Sequence, residues 1–339
     1  MKAAKYYGVN DLRVEETEIP KVKPDEVLIR VRACGICGTD VHIWCGDGGC
    51  FPTPQGTVLG HEFSGDVVEI GENVKSINVG DRVCVDPNEL CHECYYCKSG
   101  LGHFCEQMTG IGTGVDGGFA EYCAVNKTQV YKIADTTTYD MAAMTEPVAC
   151  CLHGIDMCEI SCGDTVAVIG GGMIGMIMLQ LAKISGAGKL IMIEPVAEKR
   201  KIAEKLGADL CIDPINEDVV NVLESNGIDR ISAVIECVGK TVTMKQAIQI
   251  AGKKSVVMLF GLTAPDDVME IKPFEIFKKE ITVKASFINP YTQKRALKLI
   301  DSKRIDVSSV VYAKEPLEKL PEILSNPALR SKGKFIINL

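Results

Sequence analysis

Apolar and polar residues follow two different rhythms along the chain, and the change between them divides it. From residue 2 to about residue 85 they trade places every second position in short runs, clearest in EVLIRVRA (26–33), with Pro20, Pro24 and several glycines between runs. A period of two broken by turn residues predicts short antiparallel strands, the makings of a small β-barrel. From residue 165 the apolar runs TVAVI, KLIMI, LCI, AVIE and SVVML are continuous, and helix-like stretches near 197–208, 217–226 and 243–250 separate several of them. Buried strands alternating with helices predict a parallel, doubly wound sheet. The strand ITVKASF (281–287) closes this alternation, and a helical stretch, QKRALKLIDSKRI, leads to short strands ending in KGKFIINL. The fold class is therefore α/β, with a barrel-like domain at 1–152, a doubly wound domain at 153–288, and a segment at 289–339 that rejoins the first domain.

Composition narrows the class. A chain of 339 residues with 46% hydrophobic content exceeds a usual single core, so two domains are expected. A net charge of -8 argues against a nucleic-acid footprint and leaves ordinary soluble behaviour as the simplest expectation. The uncharged run 165–182 is long enough for a membrane span, but glycines at 170, 171, 172 and 175 break it into a strand and a helix, so no membrane partner is expected. The first residues, MKAAKYYGVNDLRVEE, lack the apolar core of a signal peptide. Sixteen cysteines in such a chain point to the reducing cytoplasm, with thiols serving metal binding or packing rather than disulfides.

The densest chemistry lies at 37–62, which opens with CGTDVH and closes with GHE. Cys37, His61 and Glu62 offer the sulfur, nitrogen and oxygen donors of a catalytic zinc that keeps one position open, against the plainer alternative of a buried cysteine beside an ordinary His-Glu pair. Cys34 lies three residues before Cys37 without a thioredoxin-like setting and reads as a small apolar support. Thr39 and His42 follow Cys37 within about one helical turn and form a candidate proton relay; a cap residue and a surface histidine are the alternatives. The glycine- and proline-rich loop 44–57, with Cys45, Cys50 and Phe51, is expected to line the substrate cleft. Phe119, in DGGFAEY, either faces that cleft or packs. Glu146 precedes Pro147 at a helix start, where it can reach a metal or its water, or serve only the helix dipole.

Cys91, Cys94, Cys97 and Cys105 have a spacing that closes a tetrahedral structural zinc site. An iron-sulfur cluster is the rival, since the first three match a ferredoxin run, but the fourth lies further off and precedes Glu106, not proline. His92 and His103 are read as incidental. A nucleotide signature follows the strand at 165–169: Gly170-x-Gly172-x-x-Gly175, with Met173 and Ile174 opening the helix, lets a pyrophosphate approach backbone amides. Glu194 comes about 20 residues later at the end of the next strand, where an acid binds both ribose hydroxyls of NAD and repels a 2′-phosphate. Lys199 and Arg200 stand close enough to soften that preference.

In this order, GHE, the four-cysteine loop, GGFAEY and the glycine motif with its acid resemble the zinc-dependent medium-chain alcohol dehydrogenases along essentially the whole chain. The resemblance implies a GroES-like catalytic domain and a Rossmann domain, with one catalytic zinc in the cleft between them and one structural zinc. It places zinc ligands on Cys37 and His61, and the relay on Thr39 and His42. Glu146 stands where many members have a second cysteine, as in the sorbitol and polyol branch, and there either Glu62 or Glu146 holds the metal. Phe287 occupies the place of that branch's polyol-binding arginine. The implied reaction is NAD-dependent oxidation of a secondary alcohol, a polyol or sugar alcohol, to the ketone by a homodimer or homotetramer. L-threonine and vicinal diols are alternative substrates, and a non-catalytic nucleotide-binding protein is the alternative from another class.

Overall fold

A computed structural model of the chain describes residues 1–47 and 52–339. It divides into two compact units. One contains Met1–Ala149, Pro290–Lys303 and Val311–Leu339, and the other Cys150–Asn289 and Arg304–Val310.

In the first unit the alternating runs become antiparallel strands. The central strand Glu26–Gly35 pairs with Glu62–Ile70, Tyr122–Asn126 and the final strand Lys334–Asn338, and Arg82–Val85 and Val130–Lys132 extend the sheet. A second sheet joins Asp11–Glu16, Lys2–Gly8 and Thr57–Val58. Alternate side chains turn inward: Val27, Ile29, Val31 and Phe63 meet Leu59, Phe119 and Phe335 in one apolar core. Fully burying a side chain of this size contributes roughly 1.5–3 kcal/mol, so this face fixes the register. Phe119 is fully buried in that core, which settles its role as packing.

The second unit holds six parallel strands. Numbered by chain order within the unit, they run 3-2-1-4-5-6: Leu210–Ile212, Lys189–Ile193, Thr165–Ile169, Ala233–Glu236, Val256–Leu259 and Thr282–Ala285. That order is the Rossmann arrangement, with its ligand crevice at the carboxyl ends of the first and fourth strands. The helix Met173–Ile184 buries Met176 through Ala182, including Gln180, which explains why its sequence is apolar all round. Among the described residues no helix is long and apolar enough to cross a membrane.

The structure corrects the expected domain plan in one place. The segment 289–339 does not return whole to the first unit, because Arg304–Val310 belongs to the second. Gln180 decides this: its amide donates to the Asp306 carbonyl at 3.0 Å and its carbonyl accepts from the Asp306 amide at 2.7 Å. A buried glutamine must satisfy both ends, and this backbone supplies both partners.

Candidate active site and metal centres

The helix Gly38–Cys45 begins directly after Cys37, and Asp40 in its first turn accepts a hydrogen bond from the Cys37 amide at 2.8 Å. Cys37 is thereby fixed at the N-terminal mouth of that helix. His61 and Glu62 arrive from the other side. Gly60 precedes them at φ 95°, and a Cβ there would lie 2.8 Å from both the Cys34 sulfur and the Phe119 ring. Only glycine lets the chain turn this closely over the core and enter the next strand with His61 and Glu62. The donor atoms of Cys37, His61 and Glu62 then lie within 4.8 Å of one another.

This grouping carries more charge than the protein alone accommodates. Asp40 and Glu62 are fully buried and His61 nearly so, while His61 Nδ1, Asp40 Oδ1 and Glu62 Oε1 are buried without hydrogen-bond partners. His61 Nδ1 stands 3.5 Å from Asp40 Oδ1, close enough for an ion pair but without a formed hydrogen bond. Burial opposes a charge on the His61 ring, yet Cys37 and Asp40 hold its pKa well above the ordinary histidine value. Lys334 forms a buried ion pair with Glu62 Oε2. Burial likewise opposes its charge, and Glu62 and Cys37 more than offset that, so its pKa is raised. With Cys37 as a thiolate and His61 as the neutral ring that metal ligation requires, two carboxylates and the Lys334 ammonium leave two negative charges, which a divalent cation in place of the His61 proton would neutralise. The orphaned atoms and the mixed donors fit zinc.

The other predicted residues fall around this centre. Thr39 Oγ1 lies 3.7 Å from Cys37 Sγ. His42, one turn further along the helix, is half-buried with Nδ1 3.4 Å from Asp47 Oδ2. Glu146 is largely buried at the start of the helix Thr145–Met157 and lies outside the compact set of three donors. Trp44 packs against the core of its unit, and Cys45 is exposed. Cys50 and Phe51 lie outside the described residues.

Cys91, Cys94, Cys97 and Cys105 converge, with their sulfurs within 4.8 Å of one another. The amides of Cys97 and Glu106 pull the Cys94 thiol down to about 6, whereas burial and the neighbouring thiols Cys105 and Cys94 push Cys97 up to about 12. Four sulfurs gathered this closely match the closed tetrahedral donor set of a structural zinc.

In the second unit Gly172 caps the helix Met173–Ile184, and a Cβ on it would find nothing within 4 Å. Open space before free helix amides suits a pyrophosphate. Gly175, one turn in, has no such room, because its Cβ would collide with the Gly170 carbonyl. Glu194 Oε2 accepts from the Gly171 amide at 2.6 Å and Oε1 from the Val196 amide at 2.9 Å. Arg200 is tied to the Glu194 and Pro195 carbonyls at 2.7 and 2.8 Å and to Asp213 at 3.2 Å.

The alcohol dehydrogenase GroES-like domain family matches residues 23–135, and the zinc-binding dehydrogenase family matches residues 173–302. An L-threonine 3-dehydrogenase of Caldanaerobacter subterraneus is 36% identical over 87% of this chain and 86% of its own. A sorbitol dehydrogenase of Halalkalibacterium halodurans is 34% identical over 90% of this chain and 89% of its own. A crystal structure of a zinc-binding dehydrogenase from Sinorhizobium meliloti bound to NADP superposes with a TM-score of 0.96 at 38% identity, covering 100% and 99% of the two chains. The chain belongs to the zinc-dependent medium-chain alcohol dehydrogenases. This dehydrogenase is an oxidoreductase of CH–OH groups built from a GroES-like and a Rossmann domain. Two of its site residues escape a reading of motifs. Asp40 sits inside CGTDVH, where an acid three residues after a cap position signals a helix start and nothing more. Lys334 lies 272 residues from Glu62, and no local pattern links them.

Proposed function

We propose that this dehydrogenase transfers a hydride between a secondary alcohol, a polyol or sugar alcohol, and NAD, giving the ketone. The observation that carries the reading is the set of half-buried Cys37 and buried His61 and Glu62, three mixed donors with unmatched negative charge beside a threonine hydroxyl. Zinc bound there by Cys37, His61 and either Glu62 or Glu146 supplies Lewis acidity that makes the alcohol a stronger acid. Asp40, 3.5 Å from His61 Nδ1, would orient the ring on metal binding and leave Nε2 as the metal donor. Thr39 accepts the alcohol proton, and His42 passes it toward solvent. The Gly172 helix terminus holds the pyrophosphate, and Glu194 binds the ribose diol and disfavours a 2′-phosphate. The relationship to a sorbitol dehydrogenase supports a polyol. That to an L-threonine dehydrogenase favours the second reading, oxidation of a hydroxy amino acid. A complete donor set weighs against a non-catalytic nucleotide-binding protein.

The test is NADH formation from a panel of polyols, vicinal diols and L-threonine, with metal analysis of the native protein and of His61→Ala. Polyols are expected to be oxidised, and His61→Ala to remain folded, lose one zinc per chain and lose turnover. Turnover confined to L-threonine would favour the second reading. Native turnover in His61→Ala lacking that zinc would overturn the mechanism.

A further inference from the structure

The buried pair formed by Glu62 and Lys334 is built with care that the reaction itself does not require. Lys334 opens the last strand of the chain, which pairs with the end of Glu26–Gly35, and Glu62 opens the strand on the other side of Gly35. A Cβ at Gly35 would strike Glu62 Oε2 and come within 2.9 Å of Lys334 Cε. Three adjacent strands thus meet at a glycine that makes room for one ammonium on one carboxylate oxygen. Oε2 is engaged by Lys334, and Oε1 is buried without a hydrogen-bond partner.

We propose that Lys334 is a positioning residue that restrains Glu62 at the metal centre, holding Oε2 back so that the carboxylate cannot commit both oxygens to the zinc and crowd out the alcohol. Without the ammonium, the fully buried Glu62 is left with two unpaired oxygens. A buried, uncompensated carboxylate turns to the nearest cation, and at this centre that cation is the metal. The restraint keeps the metal accessible at some expense of affinity. The inference rests on reading Cys37, His61 and Glu62 as a zinc site.

The experiment compares the native holoenzyme with Lys334→Met, Lys334→Arg and the double variant Lys334→Met/Glu62→Gln. It measures zinc content, the rate of zinc loss to a chelator, the visible spectrum after cobalt substitution, and kcat and KM. Partners outside the ligand set tune metal sites on a scale of about 10- to 100-fold. Lys334→Met is expected to release its catalytic zinc about tenfold more slowly, to shift the cobalt spectrum and to lose about tenfold in kcat. Lys334→Arg should stay near native, and the double variant, lacking the carboxylate, should lose the slow release. Zinc that leaves Lys334→Met at the native rate or faster, or an unshifted cobalt spectrum, would overturn the proposal. Should Lys334→Met fail to fold, the cobalt spectrum of Lys334→Gln decides by the same criterion. A native protein with only one zinc per chain, held by the four cysteines, would instead overturn the reading of the site.

Discussion

At the residue scale, the proposed cofactor preference and metal chemistry rest on atoms that serve two purposes. Glu194 bonds the glycine loop, and in the proposed reading its charge also disfavours a 2′-phosphate. Replacing it with alanine would confuse these effects, whereas Glu194→Gln keeps an acceptor for the loop and removes the charge. Hydrogen bonds to charged groups contribute about 1.5–3 kcal/mol, so Glu194→Gln is expected to lose roughly 10- to 100-fold of its preference for NAD over NADP in kcat/KM. A native preference for NADP, the cofactor bound in the Sinorhizobium relative, would refute the assignment. At the metal centre, Cys37, His61 and Glu62 were legible because their residue types and spacing announce donors. Asp40 and Lys334 were not, because an acid in a helix turn and a lysine near a chain end are ordinary in any sequence. Only burial makes their charges consequential.

Among elements, the four-cysteine loop is the one expected to depend most on a metal. Between the small strands Asn88–Glu89 and Thr109–Gly110 it has a four-residue helix and a single 3-10 turn, and few of its side chains are buried. Zinc would replace the apolar core this loop lacks. Cys94→Ser is expected to bind one zinc fewer per chain, lower Tm and expose the loop to proteolysis, checked by metal analysis, thermal melts and limited digestion. Iron and visible colour in the native protein would instead support a cluster. The helix Pro273–Lys279 is not among the elements that the apolar pattern predicts, although its end signals are present: Pro273 at the first position, Glu275 in the first turn, and Lys278 and Lys279 in the last. It was hidden because its apolar residues do not form a long buried face; Phe274 and Phe277 are exposed. Lys279 finds its use elsewhere, donating to the Gln249 and Ala251 carbonyls at 3.0 Å and satisfying the end of the helix Thr241–Ile250.

At the scale of the whole molecule, the Rossmann sheet ends on Thr282–Ala285, which pairs with Val256–Leu259 along one side only among the described strands. We propose that two copies assemble across this edge to give a homodimer, or a homotetramer of such dimers. The Thr282 amide bonds the Ser255 carbonyl at 2.9 Å inside the sheet, so by alternation the Val283 amide points to the open side. Lys284, whose charge would oppose pairing, is drawn to the Met157 carbonyl at 3.0 Å and to Glu159. Light scattering is expected to show an oligomer that Val283→Pro dissociates by removing one outward donor. A native protein that stays a 36.7 kDa monomer at every concentration would rule the assembly out. At this scale the sequence by itself determined the two architectures, the four-cysteine set, the glycine motif and its acid, because periodicity and spacing are properties of neighbouring residues. Tertiary structure alone decided which distant groups share a buried site. Gln180 draws Arg304–Val310 into the second unit, and Lys334 meets Glu62 across Gly35, because buried polar atoms bond whatever partner the fold brings within reach, and that partner can come from anywhere along the chain.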